Sequence, residues 1–256
     1  LLRDGGRRRV APANDNCTTT PVPPQWTKRG YPTPFPAITI SDPETGAYIS
    51  HSGRAGVPAE TEALALREGA LVRLVTPRGR AALVEGERVV ELEVKAVTQK
   101  LPEPIQEVVF EGLARAPEGW VTVMTAARGE AQSEAEAEQY TLYLVTFADD
   151  GTLAGMAGPV RFGDGRLLHD FGGALDRLPS GNLILPGFFY RRVVIVDPRG
   201  IVLHELPLEV DRVEGVAWDG ERCELLLVRE CDGGGGQCNN SSVAGPPLWI
   251  ARFRAP

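Results

Sequence analysis

The sequence contains no long apolar run and lacks several common catalytic motifs. No stretch reaches the roughly 18 consecutive apolar residues that a membrane-spanning helix needs, so that class is excluded. There is no G-x-S-x-G nucleophile motif and no H-E-x-x-H zinc motif. The glycine run Gly233–Gly236 is not followed by the Lys-Ser/Thr pair of a phosphate-binding loop. These absences exclude the familiar serine-hydrolase, zinc-protease and nucleotide-binding signatures.

Positive charge is also scarce. Asp and Glu number 34 against 27 Lys and Arg, which gives a net charge of −7, and only three of the cations are lysine. An acidic chain has no general attraction for phosphate backbones, so we expect no nucleic-acid partner.

The chain has only four cysteines, Cys17, Cys223, Cys231 and Cys238. Cys231 and Cys238 flank a flexible glycine-rich loop, which predicts a local disulfide, with free thiols as the alternative. Metal binding is disfavoured because there is no C-x-x-C pair and no histidine close by. A Cys17–Cys223 bridge is a weaker prediction. Paired cysteines favour a secreted or periplasmic protein.

Glycine and proline, in contrast, are abundant, with 29 and 21 residues. Their spread along the chain argues against a helical bundle and favours many short strands joined by turns. Residues 1–36 hold seven prolines and predict an extended N-terminal arm. Residues 37–256 then form the predicted β-domain.

Paired hairpins recur through this domain. Each pair predicts four antiparallel strands, and the turns often begin with Asp, as in Asp149-Asp150-Gly151. The first hairpins of the four pairs cover residues 37–50, 108–124, 171–185 and 213–228, and the second hairpins cover 71–84, 142–156 and 193–203 with a final strand at 248–253. This repetition predicts an all-β fold, a β-propeller of four-stranded antiparallel blades. Four units are visible, whereas the length is typical of five or six blades, and a β-sandwich is the alternative. Residues 9–11 are expected to add the outer strand of the last unit.

A propeller places the entry to each inner strand and the connections between second and third strands on one face. Three of those connections, 51–69, 125–139 and 229–247, are long, whereas 186–190 is short. This face carries His51, His169 and Asp170, which are candidate catalytic residues, although an isolated histidine is more often inert. His204 is expected on the surface of an outer strand.

Two Glu-Gly steps occupy the same position in different units, Glu111-Gly112 and Glu214-Gly215. Carboxylates facing one axis could seat a hard cation such as calcium, with Asp170 as a third ligand. They could also act as general acid and base, or simply bind backbone amides of the neighbouring unit. All three interpretations stay open.

The segments Phe110-Glu111-Gly112-Leu113-Ala114 and Val213-Glu214-Gly215-Val216-Ala217-Trp218-Asp219 resemble the blade starts of secreted propellers. These are the esterase-like phytase, SdiA-regulated and calcium-dependent lactonase (strictosidine-synthase-like) groups. In the lactonase branch the corresponding glutamate binds calcium, which implies that role for Glu214 and Glu111. The asparagines that complete the lactonase site are not evident.

Two functions are therefore expected. The first is a propeller hydrolase of a small-molecule ester, lactone or phosphoester, with a divalent cation at the central channel. The alternative is a non-catalytic extracytoplasmic binding or scaffold propeller that recognises a peptide, glycan or protein through its long-loop face.

Overall fold

A computed structural model describes residues 2–4, 7–9, 36–42, 44, 47–55, 61–76, 80–102, 105–129, 134–170, 172–209, 213–229 and 248–252. Strands dominate this part of the chain, whose helices are short: α1 (Val94–Thr98) and a 3-10 helix (Glu134–Gln139). No helix among these residues is long and apolar enough to cross a bilayer. The chain divides into two compact units, Leu1–Thr61 with Ala217–Pro256, and Glu62–Val216. A domain boundary at residue 36 stays a prediction.

The N-terminal part of the first unit contains two separate hairpins. One pairs β1 (Leu2–Asp4) with β2 (Arg7–Arg9), and the other pairs β3 (Pro36–Ser41) with β4 (Tyr48–Ala55). Because Arg9 pairs with Leu2, the expectation that residues 9–11 extend the last unit is wrong at Arg9. Residues 10 and 11 lie outside the described residues.

Sheet A contains the next four strands, in chain order. They are β5 (Thr61–Arg67), β6 (Ala70–Val75), β7 (Ala82–Glu85) and β8 (Arg88–Glu91). Glu68 and Gly69 both have positive φ, 51° and 86°, which suits the two-residue turn between β5 and β6.

Sheet A corrects the predicted first unit. The hairpin over residues 37–50 belongs to β3 and β4, which pair only with each other among the described residues. The strands over 71–84 pair instead with β5 and β8. The predicted long connection 51–69 is therefore mostly strand, because β4 continues to Ala55 and β5 starts at Thr61.

Sheet B confirms the predicted second unit. Its strands are β9 (Glu107–Ala116), β10 (Gly119–Ala127), β11 (Tyr140–Phe147) and β12 (Leu153–Ala157), all antiparallel to their neighbours.

Sheet C has five strands instead of the four expected. An antiparallel series runs through β14 (Asp176–Arg177), β15 (Leu183–Pro186), β16 (Arg192–Val196) and β17 (Ile201–Pro207). The additional strand β13 (Arg161–Phe162) pairs in parallel with β17 at the opposite edge. The predicted inner strand over 171–175 is shifted, since the ladder starts only at Asp176.

Sheet D contains β18 (Val213–Asp219), β19 (Glu224–Arg229) and β20 (Leu248–Arg252). These strands match the predicted fourth unit. The intervening residues 230–247, including the predicted disulfide loop, lie outside the described residues.

Sheets A, B and C stack within the larger unit. All nine residues of β10 are buried, and they alternate between two cores. The A–B core contains Trp120 and Met124, and the B–C core contains Val121 and Val123. Because a strand points successive side chains to opposite faces, sheet B is covered on both sides. A two-layer sandwich buries only one face of each sheet, so stacked sheets fit this unit better.

Candidate functional site

Glu111 and Gly112 form a β-bulge in the middle of β9. Val121 pairs with Ala114 but Val123 pairs with Glu111, so β9 has one extra residue between these pairs. Gly112 has φ 61°, and the Thr122 hydroxyl donates to the Glu111 carbonyl oxygen at 2.9 Å. A bulge of this kind uses a left-handed glycine.

The bulge determines where Glu111 points. Residues directly opposite each other in a ladder share a face, so Glu111 lies on the same face as Val123, which belongs to the B–C core. The half-buried Glu111 is therefore directed towards sheet C.

The segment Gly172–Leu175, just before β14, lies against this bulge, and we call it the entry segment of sheet C. A Cβ on Gly112 would lie 2.6 Å from the Ala174 carbonyl carbon, and one on Gly172 would lie 2.7 Å from Val123 Cγ2. The Gly172 amide also donates to the buried Thr125 hydroxyl at 3.1 Å. The segment lies this close to β9 and to the Val123 side chain only because both positions are glycine.

Gly173 allows the same approach on the other side of the segment. Its Cβ would lie 3.1 Å from the Val213 carbonyl oxygen and 3.4 Å from Glu214 Cα. Glu214 is exposed at the second position of β18. The two Glu-Gly steps thus flank Gly172–Leu175, one on each side.

The predicted metal role of these carboxylates stays a prediction. In the described part of the chain, no three His, Cys, Asp or Glu residues are grouped so that they could hold a metal ion. Carboxylate oxygens are ligands that calcium prefers, so Glu111 and Glu214 fit a hard cation by chemistry. The fit of the third predicted ligand, Asp170, is poorer.

Asp170 is 2% exposed and binds protein groups. Its Oδ1 accepts the amides of Phe188 and Phe189 at 3.1 and 3.0 Å. Its Oδ2 lies 3.8 Å from Nη2 of Arg192, a fixed cation that competes with a metal ion for this carboxylate. Asp170 therefore holds the loop between β15 and β16, and its predicted roles as metal ligand and catalytic group remain untested.

The three histidines lie in different surroundings. Half-buried His169 places Nδ1 2.9 Å from the Tyr140 carbonyl oxygen, so the ring joins the connection between β13 and β14 to β11. His51 pairs with Thr39 inside β4, and its side chain lies outside the described set. His204 is exposed on β17, as predicted. The catalytic roles of His51 and His169 stay predictions.

Arg192 and the aromatic loop Phe188-Phe189-Tyr190 were missed by the sequence analysis, which took 186–190 only as a short connection. Arg192 Nη1 donates to Glu205 at 2.9 Å, and its guanidinium lies 4.3 Å from the Tyr190 ring centre. Three consecutive aromatic residues in a chain that is 7% aromatic were the available signal.

Among the cysteines, Cys223 is an exposed free thiol, so the weaker prediction of a Cys17–Cys223 bridge is wrong. Cys17, Cys231 and Cys238 lie outside the described residues, where the predicted disulfide falls.

No protein-family model matches the chain, and no curated protein matches it. Similar solved structures include a protein of unknown function from Bacteroides caccae, at 11% identity and a TM-score of 0.43, covering 76% of this chain and 61% of that one. A gluconolactonase from Xanthomonas campestris has 15% identity and a TM-score of 0.45, covering 83% and 64%. Regucalcin, a calcium-binding protein from Agrobacterium tumefaciens, has 14% identity and a TM-score of 0.41, covering 75% and 61%.

The chain thus spans about three fifths of the length of these solved chains. At TM-scores below 0.5, these likenesses carry no conclusion about activity.

Proposed function

We propose that the chain forms part of a β-propeller hydrolase that acts on a small ester, lactone or phosphoester. One observation carries this: Gly112 and Gly173 let the segment Gly172–Leu175 make close backbone contact with β9 on one side and with the start of β18 on the other. Blades around a common axis need this close approach of inner segments, and the stacking of sheets A, B and C supports the same architecture. The Glu-Gly steps then lie beside the axis.

In this proposal Glu111 and Glu214 would hold a divalent cation, with calcium as the first candidate because both ligands offer oxygen. When bound, such a cation polarises a carbonyl or phosphoryl oxygen. The neutral ring of His169 would accept a proton from water at Nε2, because the Tyr140 carbonyl can only accept a hydrogen bond and so fixes the proton on Nδ1.

The test compares wild type with Glu214→Gln, and uses Glu118→Gln in the exposed β9–β10 turn as the matched control. Calcium binding is measured by calorimetry, and turnover is measured on an aryl acetate, a six-membered sugar lactone and an aryl phosphate. We expect calcium-dependent turnover of at least one substrate. Glu214→Gln should lower it by about 100-fold or more while the melting temperature stays unchanged.

The hydrolase proposal would be wrong if the folded wild-type protein gave no heat of calcium binding and turned over none of the three substrates. The half-buried aromatic loop Phe188-Phe189-Tyr190 favours the alternative, a binding propeller for a peptide, glycan or protein. That alternative predicts no turnover on any of the three substrates. A secreted or periplasmic location remains part of both proposals.

A further inference from the structure

The loop between β15 and β16 presents three aromatic residues in sequence, Phe188, Phe189 and Tyr190. Each is half-buried, and none belongs to the A–B core or the B–C core. Neighbouring apolar rings that keep part of their surface outside a core are typical of binding sites.

The rings have a defined arrangement. Phe189 lies nearly parallel to Tyr140 of sheet B, with ring centres 5.9 Å apart and 15° between the planes. Phe188 meets Phe189 edge to face, at 5.0 Å and 81°. Both geometries are favourable for aromatic pairs, so the three rings pack against one another. We refer to Tyr140, Phe188 and Phe189 as the aromatic platform.

Asp170 fixes the platform in place. Its buried carboxylate accepts the amides of both phenylalanines, and hydrogen bonds to a charged acceptor are stronger than neutral ones. Gly187 leaves the room that this contact needs, because a Cβ there would lie 2.6 Å from Asp170 Oδ2.

One polar side chain, His169, is hydrogen-bonded to the backbone of the platform. The His169 ring binds the carbonyl oxygen of Tyr140, a platform residue, through Nδ1. The carbonyl oxygen requires a proton on Nδ1, so the neutral ring offers Nε2 as an acceptor. Aromatic faces together with a few fixed polar atoms are the usual composition of a small-molecule site.

We propose that the aromatic platform binds a ring with an apolar face, with His169 Nε2 accepting a hydrogen bond from a ring substituent and Asp170 acting as the positioning residue. This rests on the proposed function and deepens it, since it assigns a ring to the substrate or ligand. An aryl ring and a pyranose share this chemistry, and the experiment separates them.

Binding of benzyl alcohol, methyl β-glucoside and acyclic glycerol is measured by ligand-observed NMR without calcium. We expect one ring probe to bind, glycerol not to bind, and Phe189→Leu to weaken the ring probe about 3- to 10-fold through loss of the ring face. Phe162→Leu replaces another half-buried ring of sheet C and should leave binding unchanged. The proposal would be overturned if neither benzyl alcohol nor methyl β-glucoside bound, or if Phe189→Leu bound the ring probe as tightly as wild type does.

Asp170→Ala and Asp170→Asn test the positioning role. Asparagine keeps an acceptor oxygen for the two amides, whereas alanine leaves both without one. We expect Asp170→Asn to retain the near-ultraviolet circular dichroism and the ring affinity, and Asp170→Ala to lose both. Equal behaviour of the two variants would reject the role.

Because these measurements need neither calcium nor turnover, the two proposals fail separately. If a ring probe binds but no substrate is hydrolysed, only the proposed hydrolase function is wrong. If a substrate is hydrolysed but no ring probe binds, only the proposed role of the aromatic platform is wrong.

Discussion

At the scale of single residues, glycine determines how closely the sheets approach. Gly112 combines a left-handed backbone with a neighbour at contact distance, the Ala174–Leu175 peptide of sheet C's entry segment. The absence of a Cβ at Gly112 therefore has two effects. It permits the bulge that turns Glu111 towards sheet C, and it leaves room for the Ala174–Leu175 peptide.

We predict that Gly112→Ala destabilises the protein by more than the left-handed conformation alone explains. That conformation costs a non-glycine residue about 1–2 kcal/mol. Gly86→Ala is the matched control, because Gly86 has φ 56° but nothing within 4 Å of the added Cβ. Urea denaturation should give Gly112→Ala a free energy of unfolding at least about 2 kcal/mol below that of Gly86→Ala. If both variants lost the same free energy of unfolding, the entry segment would be able to move away from the added Cβ at little cost.

At the scale of elements, turns in both units are closed by the same side-chain hydrogen bond. An aspartate Oδ1 accepts the amide two residues further on, which closes an Asx turn. Among the residues that the structure describes, this contact occurs five times, at 2.9 to 3.1 Å, at Asp42, Asp150, Asp164, Asp197 and Asp219. The sequence predicts several of these turns from an Asp between two strands, and the contact made by the Asp side chain explains why that residue begins the turn.

The turn at Asp197 predicts a pH dependence. Burial by itself raises the pKa of Asp197, but the amide of Ile201, the Arg199 side chain and its amide together hold it below its ordinary value. A lowered pKa stabilises the fold above the unfolded value of about 3.9, and the contribution is lost as the pH falls through the folded value.

We therefore expect Asp197→Asn, which keeps the acceptor but not the charge, to be less stable than wild type at pH 7 and to approach it below pH about 4. Thermal unfolding between pH 7 and pH 2 measures the difference, with Glu118→Gln as a surface control. A difference that is constant with pH would contradict the assignment to the Asp197 charge.

At the scale of the larger unit, sheet B is the middle layer and contributes to two cores. We predict that Met124→Ala in the A–B core and Leu144→Ala in the B–C core each destabilise the protein by about 2–5 kcal/mol. Their effects should add, because the two side chains lie on opposite faces of sheet B and belong to separate cores. Val89→Ala, at 61% exposed on β8, should cost little. A negligible loss at either core position in urea denaturation would contradict the stacking.

Sheet B shows which parts of the fold could be predicted. Its strands alternate regularly and its turns carry Pro-Glu-Gly and Asp-Asp-Gly, so local pattern was sufficient. Sheet A was divided wrongly because Thr61–Arg67 reads Thr-Glu-Ala-Leu-Ala-Leu-Arg, and Ala, Leu and Glu also favour helix. Pairing with β6 overrides that local preference. The parallel strand β13 has only two residues and no periodicity to detect.

The candidate site divides in the same way. The Glu-Gly steps were visible because they repeat, whereas the segment between them was predicted only as part of the hairpin over 171–185. The contacts of Asp170 could not be predicted, because their partners Phe188 and Phe189 lie 18 and 19 residues further along the chain. Arg192 was missed for the same reason, since only folding brings it near both Asp170 and Glu205.

The short strand β13 has a consequence for the behaviour of the protein at high concentration. An unpaired edge strand offers its backbone to other copies and invites sheet-to-sheet aggregation. Residues Arg161 and Phe162 occupy the start of the β17 edge, opposite Ile201 and Val202. Further along that edge, His204 and Glu205 are exposed polar side chains, which disfavour intermolecular pairing. Arg161 and Phe162 thus cover the start of this edge strand, and we expect this to disfavour aggregation through sheet C.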